Sequence, residues 1–180
     1  VVFYNPSGIW VAKSNDRGAS FQSPVQVDSG QHEAEIAVDS NGTVYVAWVD
    51  SGTAKLSRST DNGETFSAPA TLVSALGTVH MAVAAPYVYV IRKYGTKLFR
   101  NTDSGQGAFQ EISVDSSSRM FADVHVDYDT GDVYVQTDDP TVRIFKSTDH
   151  GASFSGPFLP GGSIYFSTTV LASTASGVFL

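Results

Sequence analysis

Two carboxylates, Glu35 and Asp123, are the residues of this chain best placed by type and spacing to do chemistry. They hold the same step of a repeated pattern, with His80 at that step between them and Thr168 at the next. Two carboxyl groups about 5–10 Å apart across a sugar can divide the work of glycoside hydrolysis, one giving a proton while the other stays ionised. The neighbouring connections add His32, Glu33, Asp50, Arg92, Lys93, Tyr94, Arg119, Asp138, Asp139 and Tyr165. As a set these suit sugar recognition: carboxylates for hydroxyls, aromatics for ring faces, arginine for an acidic group. Taken singly, each also reads as an ordinary solvated loop or lining residue.

The elements that position them come from a repeat. Four near-copies of one turn occur at residues 14–21, 59–66, 101–109 and 147–154, and their aspartates, Asp16, Asp61, Asp103 and Asp149, stand 45, 42 and 46 residues apart. That period fits a four-stranded unit with short turns. In the second unit, alternation places strands over residues 35–38, 44–49, 54–59 and 70–73, with an Asp-Ser-Asn-Gly hairpin turn at residues 39–42. Val88-Tyr89-Val90 and Val133-Tyr134-Val135 repeat Val44-Tyr45-Val46. No span carries a helical period, and the repeats abut without linkers. A lone four-stranded sheet leaves an apolar face wet, and stacking such sheets radially buries both faces. The expected fold is therefore all-β: a β-propeller segment of antiparallel four-stranded blades, with a β-sandwich as the weaker alternative. The expected boundaries are a partial blade at 1–29, blades at about 34–73, 78–114 and 122–159, and a partial blade at 166–180. The chain opens and closes on strand-like runs, which reads as part of a longer chain. At this period a six-bladed ring needs roughly 270 residues.

The turn resembles the Asp-box of bacterial sialidase-like repeats, Ser-x-Asp-x-Gly-x-Thr/Ser-Phe/Trp. The matching residues are Ser14, Asp16, Gly18 and Phe21, then Ser59, Asp61, Gly63 and Phe66, then Ser147, Asp149, Gly151 and Phe154. The third copy keeps Asp103, Gly105 and Phe109, but has Asn101 for the serine and one extra residue, which reads as a local bulge. The resemblance implies a propeller whose boxes lie on the outer rim, away from any catalytic centre. In such propellers the first strand of each blade lines the central channel, and one face carries the pocket. No catalytic residue carries over. The family's Arg-Ile-Pro segment has no counterpart, since Phe3-Tyr4-Asn5-Pro6 lacks the arginine. Asp50 and Tyr94 match its acid/base and nucleophile by type alone. The basic residues before each box (Lys13, Arg58, Arg100 and Lys146) recur in every repeat and read as scaffold.

Composition narrows the classes further. A net charge of −7 with 11 Lys plus Arg argues against nucleic-acid and anionic-membrane partners. No apolar run is long enough to span a membrane. The chain has no Cys, which excludes a disulfide framework, a zinc-thiolate site and a thiol nucleophile. The boxes lack the spacing of a calcium loop, and Asp127-Tyr128-Asp129-Thr130-Gly131-Asp132 sits where the repeat has a hairpin. No cofactor and no metal are expected. The expected role is a secreted or cell-surface module of a sialidase-like protein that binds or hydrolyses glycans. The alternatives are a structural or protein-binding propeller, its ring completed by missing chain or a partner, and a glycosidase outside the sialidase group. The chain alone is expected to be inactive.

Overall fold

A computed structural model describes residues 1–30, 32–74, 77–93, 95–116, 120–137, 141–159, 172–174 and 177–179. All regular structure among them is β-strand. The chain divides into two compact units, Val1–Val79 and His80–Leu180.

The first unit holds two antiparallel meanders. One is the three-stranded sheet β1 (Val2–Asn5), β2 (Gly8–Val11) and β3 (Val25–Asp28); the other is the four-stranded sheet β4 (Ala34–Val38), β5 (Val44–Asp50), β6 (Thr53–Ser59) and β7 (Ala70–Ser74). The strands of the second repeat thus lie within about a residue of the alternation that predicted them. Ile9, Val11 and Val27 of one sheet pack with Val46 and Trp48 of the other, with Ala34, Ile36 and Phe66 against them. Trp48 is wholly buried, so burial of its ring is among the larger single terms of this core.

The second unit repeats the plan. Sheet β8 (Val79–Ala84), β9 (Tyr87–Arg92), β10 (Leu98–Asn101) and β11 (Gln110–Ile112) precedes sheet β12 (Phe121–Val126), β13 (Val133–Thr137), β14 (Arg143–Ser147) and β15 (Ser155–Phe158); a hairpin of β16 (Ala172–Thr174) and β17 (Gly177–Phe179) follows. Ala82, Tyr89, Ile91 and Leu98 from the first of these sheets pack with Phe121, Val124, Val126, Val133, Val135 and Phe145 from the second. The strand period of two explains this: Val124 and Val126 face the core, so Asp123 and His125 face away from it.

The turn before the last strand of each of these sheets follows one plan in three of its four copies. Ser59 Oγ donates to Asp61 Oδ1 at 2.6 Å and accepts from Gly63 N at 2.8 Å, while Asp61 accepts from Thr65 N at 2.9 Å and Thr65 Oγ1 at 2.5 Å. Ser14 and Asp16, and Ser147 and Asp149, make the same set with Ser20 and Ser153. In the third copy Asn101 Oδ1 accepts from Asp103 N and Gly105 N, both at 2.8 Å, and its Nδ2 donates to Gln106 O and Ala108 O. The longer turn is thus closed by one amide instead of a hydroxyl and a carboxylate. Two successive residues of each turn have positive φ: Arg17 and Gly18, Asn62 and Gly63, Ser104 and Gly105, His150 and Gly151. Of the phenylalanines that close these turns, Phe66 and Phe154 pack on their unit's core, but Phe21 is exposed.

Candidate functional site

The residues that vary against the constant repeat collect at one end of each sheet, where the first strand begins and the second strand ends. In the first unit that end carries His32, Glu33, Glu35, Asp50 and Lys55. Asp50 closes β5, and Ser51 and Gly52, both at positive φ, turn the chain into β6. This is a two-residue hairpin whose geometry matches strand twist. The Asp50 carboxylate accepts from Ser51 Oγ at 2.8 Å and from Lys55 Nζ, and lies 3.3 Å from His32 Nε2. The Lys55 ammonium and the Ser51 hydroxyl hold its pKa below the ordinary carboxylate value. Lys55, in turn, is raised by Asp50. Gly30 makes room for this arrangement, since a Cβ there would stand 2.6 Å from the His32 ring. Glu33 is exposed, and Glu35 is half-buried on β4.

In the second unit the corresponding end carries His80 on β8 and Asp123 on β12. His80 Nδ1 lies 3.7 Å from Asp123 Oδ1, with side chains 32% and 14% exposed. Burial lowers the His80 pKa and outweighs the upward pull of Asp123; Lys93 lowers it further. His125, two residues along β12, is lowered by burial in the same way. Both imidazoles are therefore neutral near pH 7. Asp123 stands directly across from Gln136 on β13, beside a register shift between Phe121 and Asp123. Arg92 ends β9, half-buried.

The sequence-predicted residues thus fall into two groups, one per unit. His32 meets Asp50 in the first, and His80 meets Asp123 in the second; Glu35 and Asp123 stand in separate units. Tyr94, Arg119, Asp138, Asp139, Tyr165 and Thr168 lie outside the described residues. Sequence reasoning missed three participants. Lys55 was placed as a strand position, although its spacing from Asp50 across a two-residue turn brings the two together. His125 stands where the earlier repeats have Ala37 and Ala82, and Gln136 where they have Ala47 and Ile91. That alignment was the signal that could have found both.

The residues Asp127 to Asp132 form a hairpin turn between β12 and β13. Asp127 Oδ1 accepts from Asp129 N and Thr130 N, and Asp132 pairs with Lys146 at 2.6 Å. Of the basic residues before the repeated turns, Lys13 reaches Glu64 at 3.8 Å, Arg100 lies over the Tyr87 ring, and Lys146 lies over Tyr134. These are contacts of scaffold.

No family model and no curated protein sequence matches the chain. Solved structures do. A protein of unknown function from Dyadobacter fermentans aligns over 89% of this chain and 60% of its own, with a TM-score of 0.64 and 16% identity. The NanB sialidase of Streptococcus pneumoniae aligns over 76% of this chain and 25% of its own, with a TM-score of 0.58 and 14% identity. YCF48, in a structure bound to a D1 peptide, aligns over 88% and 52%, with a TM-score of 0.55 and 16% identity. The chain therefore spans between a quarter and three-fifths of the length of these proteins. Successive four-stranded meanders, a repeated turn and this likeness over most of the chain give the fold: the propeller-like repeat that sialidases share with proteins of other functions.

Proposed function

We propose that this chain is a glycan-binding module of a secreted or cell-surface propeller protein, and that its four repeated turns are Asp-boxes that serve the scaffold. One observation carries the reading. At the first polar step of the first strand the repeats place Glu35, His80 and Asp123, which differ in chemistry on a constant scaffold. In the second unit two of these, His80 and Asp123, meet while still partly exposed. Chemistry grafted onto a repeat at one end of its sheets is how propellers acquire function. A glycan array probed with the chain tests it. Binding is expected for the wild type and lost in Asp123→Asn, and an array that stays blank for the wild type rejects the reading.

A structural or protein-binding propeller is the second reading. It is favoured by the first unit, where His32, Asp50, Ser51 and Lys55 close on one another. A wild-type chain that binds no glycan but is captured by a purified protein partner supports it.

A further inference from the structure

The chain holds two Asn-x-Ser/Thr triplets, Asn5-Pro6-Ser7 and Asn41-Gly42-Thr43. Proline in the middle position bars the first as an acceptor of N-linked sugar. Its carboxamide is also engaged, since Asn5 Oδ1 accepts from Ser7 N at 2.8 Å and from Trp10 Nε1 at 3.2 Å. The second triplet lies in the hairpin turn between β4 and β5 and meets neither obstacle. Asp39 organises this turn. Its Oδ1 accepts from Asn41 N at 2.9 Å and from Thr43 N at 3.0 Å, and its carbonyl accepts from Gly42 N at 3.0 Å. The turn is thus closed by the Asp39 side chain, and the Asn41 carboxamide is not needed for it. Ser40, Asn41 and Gly42 are all exposed. A Cβ on Gly42 would meet nothing within 4 Å, so the tip of the turn stands in open space. The equivalent turn between β12 and β13 is covered: a Cβ on Gly131 would stand 2.8 Å from the His150 ring.

We propose that Asn41 is the attachment site of an N-linked glycan. The proposal rests on the secreted or cell-surface part of the reading above, because transfer from a lipid-linked donor takes place on exported chains. The donor class is a lipid-diphosphate-linked oligosaccharide. Asn41 Nδ2 attacks its anomeric carbon, the bond from that carbon to the diphosphate oxygen breaks, and the electron pair leaves with the diphosphate. The proton lost from Nδ2 passes to a carboxylate of the transferase. Thr43 supplies the hydroxyl that the triplet requires two residues on. The modification is compatible with the candidate site. The turn joins the end of β4 to the start of β5, whereas His32 precedes β4 and Asp50 closes β5. The seven residues of β5, roughly 20 Å of strand, stand between them. A bulky, solubilising glycan on Asn41 therefore leaves the opposite end of the sheet open.

Secretion of the 180-residue chain from cultured mammalian cells, behind an added signal peptide, tests the proposal. Intact mass and peptide mapping are read before and after digestion with peptide N-glycosidase, which removes the sugar and converts the linked amide to a carboxylate. The wild type is expected to carry the added mass on Asn41 alone. Asn41→Gln and Thr43→Val are expected to abolish it, Thr43→Ser to retain it, and Asn5→Gln to change nothing. Circular dichroism checks that each variant folds, and Thr43→Ser against Thr43→Val isolates the hydroxyl from the shape of the turn. Unmodified Asn41 in the secreted, folded wild type, or a glycan that persists in Asn41→Gln, overturns the site and leaves the glycan-binding reading to the array. Modification of Asn41 together with a blank array supports the site and rejects glycan binding. A longer natural protein found inside the cell with Asn41 unmodified overturns the site and the secreted reading together.

Discussion

The first serine of each repeated turn, or its substitute, does more for the turn than its size suggests. Ser59, 1% exposed, bridges Asp61 and the Gly63 amide. Ser59→Ala strands a buried N–H and is expected to destabilise the chain by about 1–3 kcal/mol in urea unfolding. Asn101→Ser restores the residue of the other three turns, yet is expected to destabilise by about 1 kcal/mol, because the bonds from Nδ2 to Gln106 O and Ala108 O are lost. The aspartates give the turns a pH dependence. Hydroxyl and amide donors at Ser20 hold Asp16 down at about 2, and the donors around Asp61 and Asp149 push them lower still. Their folded pKa values lie below the unfolded ones, so the stabilisation is complete above about pH 4 and is lost as pH falls through the folded values. Melting temperature followed by circular dichroism should therefore fall between about pH 4 and 2, and Asp61→Asn should flatten part of that fall. The chemistry of the repeated turn was legible in the sequence because every partner lies within a few residues. Asn101 was read only as a bulge, since its second amide function acts on carbonyls that the motif does not specify.

At the scale of elements, the shared core between the sheets β8–β11 and β12–β15 is supplemented by the turn at residues 147–154, which rests on β9. Tyr89 donates to His150 O at 3.0 Å, Tyr87 stacks on the His150 ring with centroids 4.7 Å apart, and Arg100 lies over Tyr87. Burial pushes the Tyr89 phenol well above its usual pKa, so it remains a donor at all ordinary pH. This distinguishes two glycines that the motif treats alike. A Cβ on Gly63 meets nothing within 4 Å, whereas one on Gly151 meets Tyr89 Cε1 at 2.8 Å; both sit at positive φ. Gly63→Ala is expected to cost about 1–2 kcal/mol of backbone strain, and Gly151→Ala clearly more, measured by urea unfolding of each variant. Equal losses would mean that Tyr89 yields without penalty. The strands themselves were legible, because alternation and the Val-Tyr-Val runs report burial directly. The docking of turn on strand was not, because Tyr89 and His150 are 61 residues apart and share no local pattern.

At the scale of the molecule, the repeat that made the fold legible also limited what it could say of function. Glu35, His80 and Asp123 stand out as polar steps that differ between repeats, whereas His125 and Gln136 lie beyond that first polar step, at positions the repeated turn does not mark. The arginines decide what the chain can catalyse alone. Turnover of a sialoside requires several cations around one carboxylate while a weak nucleophile is activated. Arg17 is an exposed residue of a repeated turn at positive φ, Arg58 and Arg100 hold the place before such a turn, and Arg143 opens β14 opposite Thr137. Arg92, at the end of β9, is the described arginine left for a pocket, with Arg119 as its sequence-level companion. Two arginines make part of a subsite and not the set of several cations that this turnover requires. The isolated chain is therefore expected to leave a fluorogenic sialoside unhydrolysed above the rate in buffer. Turnover that disappears on replacing Arg92 or Arg119 would show that a competent centre exists within these residues. Turnover confined to a longer natural protein containing this chain would place the remaining cations outside it.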